Sequence, residues 1–120
     1  MTGYVVFAHG SRVETANEAV RALTARVADR TGCAAEPAFL DCAQPELGTA
    51  VARLAQRGVE HVIVLPYFLM FGAHIEHDLP RIVGDIASRI PGTKIDVAPP
   101  LDGHPALLDI LIERAERFAS

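Results

Sequence analysis

Two histidines, His74 and His77, stand three residues apart in the stretch FLMFGAHIEHDLP, which runs from Phe68 to Pro80 and overlaps the end of the apolar HVIVLPYF. Another, His9, follows a second apolar run in VVFAHGSR. Neutral imidazole accepts a proton near pH 7. It also ligates Fe, Co, Ni and Zn, and a carboxylate can complete the ligand set. Asp41, in AFLDCAQP, is a carboxylate behind a third apolar run. The chemistry open to these residues is the handling of a divalent metal or the transfer of a proton. Each also has a plainer use. A histidine ending a strand commonly serves as a hydrogen-bonded structural residue. Asp41 and Asp78 suit helix caps, His77 suits the first turn of a helix, and His104 precedes Pro105 at a helix start. His61 opens its strand at the opposite edge and reads as surface.

Whether His9 and His74 meet depends on the elements that carry them. Tyr4 to Ala8 reads as a strand. A helix is expected from about Glu14 to Thr31, where Ala16, Ala19, Val20, Leu23 and Val27 recur at helical spacing and Gly32 supplies a stop. Pro37 to Leu40 is a second, short strand. A helix follows from near Pro45, read as its first-turn proline, with Leu47, Val51 and Leu54 on one face and a stop at Gly58. His61 to Pro66 is apolar without alternation, which predicts a strand covered on both faces. A third helix is expected from about Glu76 to Ile90, with Leu79, Ile82, Val83, Ile86 and Ile90 inward. KIDVAP gives a fourth strand, and a last helix from about Pro105 to Phe118 carries Leu107, Leu108, Leu111, Ile112 and Ala115.

This alternation predicts an α/β fold: a small, mostly parallel four-stranded sheet flanked by helices, layered as in flavodoxin, forming one domain over residues 1–120. Ligands of open parallel sheets bind beyond the carboxyl ends of the strands. His9 to Arg12, Asp41 to Gln44, Tyr67 to His74 and Asp102 to His104 all follow strands there. The apolar FLMFG is odd for an exposed loop. It reads either as core packing or as a greasy wall for a flat, aromatic-like ligand. A sheet this small leaves apolar surface that a dimer would naturally cover.

Composition excludes several classes. Half of the 120 residues are hydrophobic, the formal net charge is −4, and Lys94 is the single lysine. Nucleic-acid binding therefore has no electrostatic footprint. An anionic ligand would need local donors, because the acidic balance does not steer it from a distance. No apolar run approaches the roughly 20 residues of a membrane span, and no signal-peptide pattern opens the sequence, so a cytoplasmic chain without membrane contact is expected. Cys33 and Cys42 are not in CxxC spacing and read as reduced thiols.

VVFAHGSR, AFLDCAQP and LPYFLMFGAHIEHDLP, in this order and over nearly the whole chain, resemble the small class II tetrapyrrole chelatases. That family includes sirohydrochlorin cobaltochelatase, sirohydrochlorin ferrochelatase and a related nickel chelatase. The resemblance implies a metal chelatase, a lyase, that inserts Co²⁺ foremost, or Fe²⁺ or Ni²⁺, into sirohydrochlorin in cobalamin or siroheme biosynthesis. The metal is then a substrate, and no tightly bound cofactor is implied. His9 matches the motif histidine that binds the incoming metal and accepts a proton, and His74 matches the second metal-binding histidine. Leu69, Met70, Phe71, Gly72 and Ala73 match the loop that lies against the macrocycle. Family members often carry glutamates in the second-strand motif. Here Asp41 keeps a carboxylate for the metal on a shorter stem, and Gln44 is an uncharged substrate contact. Ser11 and Arg12 of HGSR complete the substrate-binding set, with Arg12 and helix N-termini as the nearest donors for the macrocycle's carboxylates. Long members hold two such units in one chain, so a lone unit implies a homodimer whose halves share one cleft.

Two other readings compete. The departures at Asp41 and Gln44 motivate a non-catalytic carrier of a tetrapyrrole or metal on the same fold. A hydrolase using His9 with Ser11 and Arg12 nearby would need more arginines around the site than the sequence places there.

Overall fold

The computed structural model describes residues 1–119. Its elements are β1 (Thr2–Ala8), α1 (Glu14–Thr31), β2 (Ala34–Phe39), α2 (Leu47–Gln56), β3 (His61–Pro66), α3 (Ala73–Arg89), β4 (Lys94–Val97) and α4 (Pro105–Glu116). The strands form one four-stranded sheet in the order β2-β1-β3-β4, and every pair is parallel. This is the α/β architecture that the alternating pattern predicts.

Several boundaries move for local reasons. β1 and β2 both begin earlier than expected, because their pairing runs from Gly3 opposite Ala34 to Ala8 opposite Phe39. Pro37 lies inside β2, where it is tolerated because β2 is an edge strand. α2 starts at Leu47 behind Glu46 as its N-cap, so Pro45 precedes the helix instead of opening it. α4 ends at Glu116, two residues short of Phe118. α3 starts at Ala73, three residues ahead of the expected Glu76, and it contains Pro80. Proline has no N–H to donate and costs a helix interior one backbone hydrogen bond.

Successive side chains of β1 point to opposite faces of the sheet. Val5 and Phe7 join the larger core with Leu47, Ala50, Val51 and Leu54 of α2 and Leu79 and Ile86 of α3. Val6 and Ala8 join a smaller core with Val20 of α1 and Phe39. Each fully buried aliphatic side chain contributes about 1.5–3 kcal/mol, so these clusters fix where β1 and β3 end. On α1 the buried line is Asn17, Val20 and Thr24; the expected Ala16 and Ala19 face solvent.

One expectation fails. β3 is not covered on both faces: Val62, Val64 and Pro66 are buried, whereas His61, Ile63 and Leu65 are only half-buried. α4 buries none of its residues, and Leu108 and Leu111 are 63% and 67% exposed. The last helix does not lie over the outer side of β3, and an apolar strand keeps the alternating burial of a half-covered one. The molecule is correspondingly elongated, at 57 × 33 × 28 Å. Its radius of gyration is 15.5 Å, against roughly 13.6 Å for a compact chain of this length.

A histidine-flanked ledge at the strand ends

The chain leaves β1 toward β2 on one side and later returns to β3 on the other, so the crevice between β1 and β3 is the topological switch point of the sheet. His9 is the first residue beyond β1, and Tyr67 is the first beyond β3. The Tyr67 amide donates to the Phe7 carbonyl at 2.7 Å, which holds the two exits side by side. The Phe68 ring meets His9 edge-on, with centroids 6.3 Å apart. It meets Phe7 and Phe71 in the same manner at 5.7 and 5.9 Å. Beyond this aromatic strip Leu69 and Met70 are each 63% exposed, and Tyr67 adds an exposed ring. The result is an open apolar ledge with His9 at its rim. Phe71 is half-buried against the core, Gly72 is the N-cap of α3, and Ala73 is the helix's first residue.

The His9 ring is exposed, and its Nδ1 lies 3.3 Å from the Gly10 carbonyl. A carbonyl only accepts, so this contact requires a proton on Nδ1. In the neutral ring Nε2 then keeps its lone pair, the form that takes a proton or binds a metal.

His74 lies in the first turn of α3 and not in the preceding loop, and His77 follows on the same helix; both side chains are exposed. His74 lines a cleft of about 140 Å³ together with Phe7, Leu40, Asp78, Leu79 and Ile82. Phe7 therefore connects the two histidines. Its ring packs on the Phe68 that touches His9, and it also lines the cleft that His74 borders.

Asp41 joins the same edge through its backbone. Its amide donates to the His9 carbonyl at 2.9 Å, and the Leu40 amide donates to Ala8 at 2.9 Å. Gly10, at φ +92°, sits so close beneath that a Cβ there would lie 1.8 Å from the Asp41 carbonyl oxygen. The Asp41 carboxylate is exposed and accepts from the neighbouring Cys42 amide at 2.8 Å; it caps no helix. Asp78 sits inside α3, 3.7 Å from Arg81, and is not the helix cap. His104 does cap α4, its Nδ1 accepting from Ala106 at 3.0 Å. His61 is half-buried at the opposite end of the sheet, with Nε2 2.6 Å from an Asp96 oxygen. Among the described residues no group of three His, Cys, Asp or Glu is gathered closely enough to hold an ion. His9 stands at the rim of the ledge, His74 borders the cleft that Phe7 also lines, and Asp41 is joined to His9 through the backbone.

The loop after β1 is held by a residue that sequence reasoning missed. Asn17 is 1% exposed. Its Oδ1 accepts from the Ser11 amide at 2.9 Å, and its Nδ2 donates to the Ser11 carbonyl at 2.7 Å. The signal was a lone amide on the line Asn17, Val20 and Thr24 that α1 turns inward. The Ser11 hydroxyl accepts from Val13 at 3.0 Å and so belongs to the same turn, while Arg12 is exposed. Arg21 reaches the Gln44 carbonyl at 3.3 Å and lies 5.3 Å over the Phe39 ring, tying α1 to the loop that holds Asp41. The Gln44 side chain itself is exposed.

Asn17→Ala removes both partners of the Ser11 backbone and is expected to cost about 1–3 kcal/mol, read by urea denaturation. A cost near zero would show that water replaces the amide. Glu14 is stabilised as a carboxylate by hydrogen bonds from Arg21 and Asn17, which hold its pKa below the usual 4.5. A depressed folded-state pKa contributes stability above the unfolded value and loses it as pH falls through the folded one. Glu14→Gln is therefore expected to lower the melting temperature at pH 7, with the gap to the wild type closing below pH 4.5. A gap independent of pH would assign the loss to packing.

Fold and site together define a doubly wound α/β domain that presents His9 beside an exposed apolar ledge at its switch point and His74 on the helix that follows. The chain belongs to the CbiX family, whose model matches residues 3–118. It is 30% identical over 119 residues to the chloroplastic sirohydrochlorin ferrochelatase of Arabidopsis thaliana, covering 98% of this chain and 53% of the plant protein. It is 28% identical to the sirohydrochlorin cobaltochelatase of Sulfolobus acidocaldarius, covering 100% of this chain and 94% of that one. Among solved structures, the CbiX protein of Marinobacter aquaeolei VT8 superposes with a TM-score of 0.82 at 29% identity, covering 98% of this chain and 99% of that one. The chain thus spans about half the length of several curated relatives and nearly the full length of others. No helix among the described residues is long and apolar enough to cross a membrane.

Proposed function

We propose that the protein inserts a divalent metal into sirohydrochlorin, with Co²⁺ as the first candidate and Fe²⁺ or Ni²⁺ as the others. The observation that supports this reading is that Phe7 packs on the Phe68 ring beside His9 and also lines the cleft that His74 borders, next to a ledge whose apolar side chains face solvent. A tetrapyrrole offers a broad apolar face to such a ledge. The names of the curated relatives, sirohydrochlorin ferrochelatase and cobaltochelatase, support the same substrate.

Insertion requires the removal of two pyrrole N–H protons and the loss of water from the ion. His9, with its Nδ1–H turned to the Gly10 carbonyl, offers Nε2 first as a ligand and, once the ion has passed to the macrocycle, as acceptor of one pyrrole proton, while water at the open ledge takes the other. His74 is the second ligand, and the exposed Asp41 carboxylate neutralises charge beside them. An open set suits the task, since an ion held by four protein ligands would be retained as a structural metal. The His74 cleft, at about 140 Å³, falls short of the roughly 300 Å³ at which small-molecule pockets begin. A macrocycle must therefore lie across the open ledge, and a second copy of the chain is the natural cover for its other face. The active form is on this reading a homodimer. Its place is the cytoplasm, in keeping with Cys33 and Cys42 standing as free thiols.

The test is anaerobic incubation of the purified protein with sirohydrochlorin and each metal in turn, followed by the visible spectrum. Insertion above the uncatalysed rate with at least one metal is expected. A shift on binding the tetrapyrrole without accelerated insertion would instead make the protein a carrier.

A further inference from the structure

We propose that Arg21 is a positioning residue of the site, coupling the loop after β1 to the loop after β2 and so fixing Asp41 against His9. The coupling is a property of the fold; its effect on catalysis rests on the metal-inserting function proposed above.

A continuous chain of hydrogen bonds carries it. On the side of β1, Asn17 grips Ser11 by its amide and by its carbonyl, at 2.9 and 2.7 Å. Asn17 Nδ2 also donates to Glu14 Oε2 at 3.2 Å. The other oxygen of Glu14 accepts from Arg21 Nη1 at 2.7 Å. On the side of β2, Arg21 Nη2 donates to the Gln44 carbonyl at 3.3 Å. Glu14, Asn17 and Arg21 follow one another at spacings of three and four along α1, which places them on one face of the helix.

The loop held in this way is short. The Phe39 amide donates to the Pro45 carbonyl at 2.9 Å, which closes residues 40–44 into a tight excursion. One end of the excursion is fixed to β1 and its exit, through the Leu40 and Asp41 amides on the Ala8 and His9 carbonyls. Arg21 holds the other end from α1, and its guanidinium lies 5.3 Å over the Phe39 ring at the base. The planar fork of arginine allows this: Nη1 faces Glu14 and Glu18 while Nη2 reaches the carbonyl. Two carboxylates already occupy its charge, so Arg21 serves the loop and not an anionic ligand. Both carboxylates are largely exposed, so the ion pairs add only modest stability, and what the arginine supplies is placement.

The test reads the loop and the reaction separately, in Arg21→Met and in Arg21→Lys, which keeps the charge and loses the fork. Hydrogen exchange of the Asp41 amide, whose bond to the His9 carbonyl spans the two loops, is expected to quicken by about tenfold in both variants. The metal concentration for half-maximal insertion is expected to rise by about tenfold, with a smaller fall in maximal rate, because Asn17 still holds the His9 loop. In an Asp41→Asn background Arg21→Met should then have little further effect on that concentration, since the group it places is already gone. Unchanged exchange at Asp41, wild-type behaviour of Arg21→Lys, or additive effects of Arg21→Met and Asp41→Asn would each overturn the positioning role. A wild-type protein that inserts no metal overturns the proposed function instead, and the exchange measurement still decides the coupling.

Discussion

Replacing His9 with alanine is expected to lower the rate of metal insertion into sirohydrochlorin by about 100-fold or more while leaving thermal unfolding unchanged. The size follows from the role, since a positioned general base contributes about 10²–10⁴-fold. The unchanged stability follows from the surroundings: the ring is exposed, its single hydrogen bond reaches the neighbouring Gly10 carbonyl, and its packing is an edge contact with Phe68. The backbone bond between His9 and Asp41 survives the substitution. His74→Ala separates the two duties of the site. His74 stands in the first turn of a helix, and the proposed function gives it a ligand's role without proton acceptance, so its loss should raise the metal concentration needed for half-maximal rate more than it lowers the maximal rate. Steady-state rates against metal concentration, with melting curves of each variant, decide the matter. Wild-type turnover by His9→Ala would remove His9 from the chemistry.

The second large effect is expected at a residue with no side chain. Gly10→Ala places a Cβ 1.8 Å from the Asp41 carbonyl oxygen, at a φ of +92°. The obstacle is backbone, so no side-chain rotation relieves it, and the left-handed conformation alone costs an alanine about 1–3 kcal/mol. The loops after β1 and β2 must separate, breaking the pairing of Asp41 with His9. The melting temperature should fall by roughly 5 °C or more, and insertion should fall with it, because the displaced loop carries His9. Asn17→Ala serves as the comparison: it loosens the same loop from the α1 side without forcing it off Asp41. If Gly10→Ala kept both stability and rate, the close approach of these loops would have no part in the site.

Most of the architecture was legible because its signals are local. Strands of branched apolar residues alternate with helices of 3.6-residue periodicity, and a parallel sheet follows from that order alone. The strand-end rule then brought His9, Asp41 and His74 to one edge. What was not legible depends on partners distant in sequence. Ile63 and Leu65 look like core until α4 is found to leave them uncovered. The start of α3 was misjudged because Gly72 and Ala73 show no side-chain cap, so His74 passed for a loop residue. Asn17 was missed because a buried amide in a helix breaks the apolar pattern by which helices are recognised, and its reason lies in the backbone of Ser11.

Pro80 has a bearing on His74 as well. Lacking an N–H, it leaves the Glu76 carbonyl without its helical donor, so the opening turns of α3 are joined to the remainder less firmly than an unbroken helix would join them. The imidazole is thus carried on a compliant mount, whereas His9 stands on a loop clamped by Gly10, Asp41 and Asn17. On the function proposed above, one stiff jaw and one yielding jaw would give a grip that opens on the His74 side, as release of a cargo ion requires.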